Sequence, residues 1–152
     1  MTITLEAIEA EHAKIAEMIA AFKAQKPSLY VVPEAEIQLM PGEEYAGIVL
    51  DENSQPHHHL ILLPAEADAI KWGDAKRWAL DNGGELPNRQ EQALLYANLK
   101  RCFQSAWYWS CEQHASVSGC AWCQGFCSGT QDYYDISSEL RARAVRRLPI
   151  KT

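Results

Sequence analysis

Nothing in the 152-residue chain approaches the roughly 18 consecutive apolar residues needed to cross a bilayer. Its first 26 positions carry Glu6, Glu9, Glu11 and Glu17, where a secretory signal would place an apolar stretch. No membrane span and no signal peptide are therefore expected, and the whole chain is taken as mature. Positive charge is also short: 14 Lys and Arg stand against 20 Asp and Glu, leaving −6 at neutral pH. That balance argues against nucleic acid and anionic membranes as partners, since both reward basic side chains. There is no Gly-x-Ser-x-Gly elbow, no glycine-rich phosphate loop and no pair of carboxylates spaced for acid–base work, so an enzyme is not expected. The five cysteines are an odd number, with four between Cys111 and Cys127, which is not a disulfide framework and favours a reducing compartment.

What is present matches ordinary globular composition, with 47% hydrophobic and 22% charged residues, which excludes wholesale disorder. The opening segment is the most regular. Leu5, Ile8, His12, Ile15, Ile19 and Phe22 repeat at alternating intervals of three and four, the seam of a heptad. Thr4 is placed to cap this helix, Ile3 and Ile8 to staple it, and Pro27 to stop it. An isolated helix of this length is marginal in water, so a second copy of the chain is favoured over its own domain as the cover for the narrow stripe. His12 then acts as a polar register-setting residue.

After Pro27 the period changes. Leu29–Val32, Tyr45–Leu50 and His59–Leu63 read as three strands, with Asp51–Gln55 as a hairpin tip. Trp72, Ala75, Trp78 and Ala79 share one helix face, closed by Gly83-Gly84, and a second helix starts at Asn88 with Glu91 as its capping-box partner. Leu94, Leu95 and Leu99 are its expected buried face. Beyond Phe103 the chain reads as strands at Trp107–Ser110, Ala121–Cys127 and Leu140–Leu148. The expected class is α+β, divided into an oligomerisation helix at 1–26, a β-strand linker region at 27–57 and a principal domain at 58–152.

Gly83-Gly84-Glu85-Leu86-Pro87-Asn88 and the helix after it combine with Trp72-x-x-Ala75-x-x-x-Ala79, Trp107-Tyr108-Trp109-Ser110, Ala121-Trp122-x-Gln124-x-Phe126 and the closing run Arg141–Arg147. In this order they resemble the Lcl carboxy-terminal domain family of phage and prophage genes, over about Leu60 to Pro149. The resemblance implies a C-type-lectin-like fold, distantly akin to formylglycine-generating enzymes and retroelement-diversified variable proteins. It also implies a binding role for exposed loops, on a virion or in the host cytoplasm. Asn88 stands where threonine is usual, and both cap a helix. Cys111, Cys120, Cys123 and Cys127 depart from the polar and aromatic residues the resemblance implies.

The strand period of two puts Trp122, Gln124 and Phe126 on one face of 120–127 and Cys123, Gly125 and Cys127 on the other. With the bulky trio taken as core, the second set is expected outward. There it would join Glu112, Gln113 and His114 from the preceding loop and Gln131, Asp132, Tyr133 and Tyr134 from the following one in a ligand surface. A protein or glycan ligand fits this mixture, and no cofactor is implied. Cys120-x-x-Cys123 has zinc-ligand spacing, with Cys127, Cys111 or His114 as further candidates. No second well-separated pair accompanies it, so unbridged thiols are preferred over zinc or a disulfide. A zinc-stabilised structural protein and a small phage inhibitor of a cytoplasmic host factor remain the alternatives. His57-His58-His59 reads as an exposed strand start, Arg141, Arg143, Arg146 and Arg147 as partners for acids, the five tryptophans mainly as core, and Cys102 as a buried small hydrophobe.

Overall fold

The computed structural model describes residues 2–151. The chain separates into two compact units, Met1–Val32 and Pro33–Thr152.

In the first unit α1 runs Leu5–Ala24, its first turn capped by Thr4, whose side chain accepts the Ala7 N–H at 3.2 Å. The heptad seam is not covered: no residue of α1 is buried, and Ile8, Ile15, Ile19 and Phe22 are all at least half exposed. The expected strand Leu29–Val32 does not form. An extended apolar run becomes a strand only when a neighbour completes its ladder.

The second unit is built on a sheet in the order β1-β2-β6-β3-β4-β5, comprising β1 (Glu44–Leu50), β2 (Pro56–Ile70), β3 (Trp107–Gln113), β4 (Cys120–Gly125), β5 (Gln131–Asp135) and β6 (Leu140–Pro149). Neighbours are antiparallel except β3 and β6, which meet in parallel at Tyr108 and Arg141. The β1–β2 hairpin turns where expected, because Asp51 Oδ1 accepts the N–H groups of Asn53 and Gln55 at 2.8 and 3.0 Å. β2 runs past Leu63 to Ile70, and the ladder to β6 absorbs Pro64, which has no N–H to donate, in an irregularity between Leu62 and Glu66. β5 replaces what the sequence suggested was a loop.

Between β2 and β3 stand α2 (Trp72–Asp81), α3 (Arg89–Leu99) and a 3-10 turn at Lys100–Cys102. α2 ends at a glycine pair with two separate duties. Gly83 takes φ +85°, and a Cβ on Gly84 would lie 2.4 Å from the Val145 carbonyl, blocking the Glu85–Val145 bridge. α3 carries the complete capping box: Asn88 Oδ1 accepts the Glu91 N–H, and Glu91 Oε1 accepts the Asn88 N–H.

The helices cover opposite faces of the sheet. Trp72, Ala75 and Ala79 of α2 pack with Leu63, Trp109, Cys123 and Ala144, while Leu95 and Leu99 of α3 pack with Leu62, Tyr108, Phe126 and Val145. Adjacent residues such as Tyr108 and Trp109 therefore enter different cores. This overturns the one-sided reading of 120–127. With both faces buried, Cys123 lies in the α2-side core at 0% exposure, and Gly125 is buried against the Trp107 ring, so neither points outward. Gln124 and Phe126 are buried on the other side, and Trp122 is half-exposed at the margin.

Candidate functional site

The surface that gathers the most sequence-singled residues lies where α3 begins, beside the free edge of β5. Cross-strand pairing sets Trp122 opposite Tyr133 and Gln124 opposite Gln131, which brings these four onto the α3 face. The His114 ring stacks on Trp122 with centroids 4.9 Å apart, and Tyr133 meets His114 and Trp122 edge-on at 4.5 and 5.7 Å. His114 Nδ1 accepts the N–H groups of Ser116 and Val117, so the same ring shapes the β3–β4 loop.

Arg89 completes the cluster. Its guanidinium lies 3.6 Å over the Trp122 ring, its Nε donates to Gln131 Oε1 at 2.9 Å, and its carbonyl accepts from Gln131 Nε2 at 2.7 Å. Gln131 is steadied by Gln124 Oε1, and the buried Gln124 in turn donates to the Gln92 carbonyl. Behind the aromatic margin is thus a relay of amides that sets the arginine's position. Glu112 Oε2 accepts the Arg89 backbone N–H at 2.7 Å. Asn88, Arg89, Glu112, Gln124 and Gln131 line an open depression of about 930 Å³.

A comparison with models of known protein families, and with curated proteins, finds no match to this chain.

Of the ten residues expected to contact a ligand, Glu112, Gln113, Cys127, Asp132 and Tyr133 are exposed and His114 and Gln131 half-exposed. Tyr134 turns the other way and packs against Trp107 at 5.4 Å, beside the α2-side core. Cys123 is inaccessible. Burial, and then the nearby Asp132 charge, push its thiol up to about 12, and Sγ donates to the Asp132 carbonyl. Arg89, Asn88 and Trp122 were not singled out as site residues. No local pattern marks them: Arg89 reads as an ordinary first helical residue and Trp122 as core.

The cysteines are unbridged, and among the described residues no three His, Cys, Asp or Glu side chains gather as metal ligands do. The histidine run is corrected instead. Only His57 is exposed; His58 and His59 are buried. His58 Nε2 meets Glu91 Oε2 at 2.9 Å, and His59 Nδ1 meets the Tyr45 hydroxyl at 2.8 Å. Glu91, fully buried, also accepts two bonds from Arg147 at 2.8 Å. Burial works to raise the Glu91 carboxyl, but the bonds from Arg147 and the Asn88 N–H, the Arg147 charge and the His58 bond outweigh it and hold the group below its ordinary range. The other arginines follow the pairing expected of them, Arg141 with Glu66 and Asp68 and Arg146 with Glu43, while Arg143 donates to the carbonyls of Cys102 and Leu63.

Proposed function

We propose that the chain is a non-enzymatic recognition module that binds a receptor through the surface where α3, the β3–β4 loop and β5 meet. The observation that carries this reading is the Arg89–Trp122–His114–Tyr133 cluster, an aromatic and cationic surface left open to solvent and braced from behind by buried amides. Arginine and aromatic side chains contribute most at binding surfaces, and bracing lowers the entropy lost when a ligand orders them. Burial raises the Cys111 and Cys123 thiols, which lowers their thiolate content and disfavours a nucleophilic role for these two.

The order β2, two helices, β3–β4–β5, then β6 returning antiparallel to β2 is compatible with a C-type-lectin-like arrangement. The motif resemblance adds a phage or prophage setting, on a virion or in the host cytoplasm. The exposed seam of α1 is read as the contact with further copies of the chain, which would multiply a modest single-site affinity.

Retention of the full chain on immobilised glycans and on bacterial envelope preparations tests the reading. Retention should fall at least severalfold in Tyr133→Ala, which alters an exposed ring without opening the core. Equal retention of both proteins, or none by either, overturns it.

A further inference from the structure

We infer that Arg89 anchors the carboxylate of an acidic sugar residue seated in the depression beside α3. This rests on the recognition reading above and names the ligand chemistry of the same surface.

Arg101, Arg141, Arg146 and Arg147 each pair with a carboxylate, and Arg143 gives its terminal nitrogens to two backbone carbonyls with Glu66 4.0 Å away. Arg77 is exposed on α2 with no partner among the described residues. Among the described residues, Arg89 alone is both held and not neutralised. Trp122 supports its plane and Gln131 takes its Nε, yet its two Nη groups bond to nothing among the described residues. Fixing an arginine side chain costs rotamer entropy. Here the stacked ring and the Gln131–Gln124 relay have already restricted it, so a fork of N–H donors is preorganised at the depression's edge.

The start of the helix adds no separate anion site. Two of its first amides are taken by the protein's own groups, Arg89 N–H by Glu112 and Glu91 N–H by Asn88. Recognition of the anion therefore falls to the guanidinium. Glu112, whose carboxylate holds the Arg89 N–H, lowers the local potential, which suits one singly charged planar carboxylate and disfavours a phosphate dianion.

The rest of the lining favours a sugar over a protein side chain. Ala93 is its only apolar side chain, whereas the centre of a protein interface is mostly apolar. Asn88, Gln131 and Glu112 offer amide and carboxylate partners for hydroxyls.

The full chain can be titrated with D-glucuronic acid and N-acetylneuraminic acid, against D-glucose, N-acetylglucosamine, acetate and inorganic phosphate. The readouts are the Arg89 Nε–H resonance and indole fluorescence. The acidic sugars should bind about tenfold tighter than the neutral ones, the scale of one charge-assisted hydrogen bond. Arg89→Gln should abolish that difference, and Arg89→Lys should recover it only in part, since an ammonium lacks the planar fork. Glu112→Gln, which keeps an acceptor for the Arg89 N–H, should tighten binding of the acidic sugars severalfold. That variant decides the matter if Arg89→Gln does not fold. Equal binding of glucose and glucuronic acid, phosphate or acetate binding as well as glucuronic acid, or no gain in Glu112→Gln each overturns the inference. If retention on neutral glycans or proteins still depends on Tyr133 but not on Arg89, the recognition reading survives and the acidic-sugar ligand does not. If Tyr133→Ala changes nothing on any support, both fail.

Discussion

Two helices of this protein place their side chains in opposite ways. α1 has 20 residues and buries none of them, although its seam is the most regular apolar pattern in the chain. α3 has 11 residues and buries four, two of which are Glu91 and Gln92. An apolar repeat therefore shows that a helix wants a neighbour without supplying one. Polar residues that look solvated can be interior when distant chain supplies their hydrogen bonds. Glu91 is tolerated because His58, Arg147 and the Asn88 N–H surround it, and Gln92 is half satisfied, its Nε2 donating to the Tyr108 carbonyl while its buried Oε1 has no partner among the described residues.

Glu91 is where the contrast between the two helices has its largest energetic consequence. Replacing it with Ala strands Arg147 and His58 beside an emptied site and should cost about 3–5 kcal/mol in urea unfolding, as for a buried ion pair that loses one member. A loss near zero would mean the network is solvated. Leu95→Ala, at a position with no exposed surface, should cost about 2–5 kcal/mol by the same measurement, and its cost would separate packing from charge within α3.

A pH series sharpens the electrostatic part. Below the ordinary carboxyl value of 4.5, unfolded Glu91 takes up a proton while folded Glu91, held lower, does not. The unfolded state then binds more protons, so stability rises with pH in that window, is complete above it, and is lost as pH falls through the lowered folded value. In Arg147→Met the largest opposing influence is gone and burial acts with less resistance, so the acid transition of the denaturation midpoint should move to higher pH. An unmoved transition would detach Arg147 from Glu91.

Asn88→Ala removes the cap alone and should cost about 1 kcal/mol. The smallest effect on folding is expected in α1. Ile15→Asp with Ile19→Asp should leave unfolding of Pro33–Thr152 within about 0.5 kcal/mol of the parent, as substitutions outside a packed core do. The mass in solution, measured by light scattering, should fall. An unchanged mass would remove self-association through this seam.

Much of the fold was legible because its signals are local. The Thr4 and Asn88 caps, the Asp51 turn, the glycine pair after α2 and most strands follow from residues within a few positions of one another. The reading failed where a pattern needed a partner or a second layer. Leu29–Val32 has strand composition and no ladder. The period of two at 120–127 was right about which residues share a face and wrong about which face is open, since alternation cannot reveal that helices cover both sides. The candidate site was legible at Glu112, His114, Gln131 and Tyr133, and hidden at Arg89 and Trp122, whose meeting joins a helix start to a strand far along the chain.

By itself the sequence determined periodicity, caps, turns, the net negative charge and the want of any long apolar run, because each depends only on neighbouring residues or on a sum over all of them. Tertiary structure alone decided that Cys123 is interior, that His58 reaches Glu91 across 33 positions and Arg147 reaches it across 56, and that one arginine lies braced on a tryptophan with its terminal nitrogens uncommitted. Burial and ion pairing are properties of who is adjacent in space, and in a sheet covered on both faces that adjacency is set by chain distant in sequence.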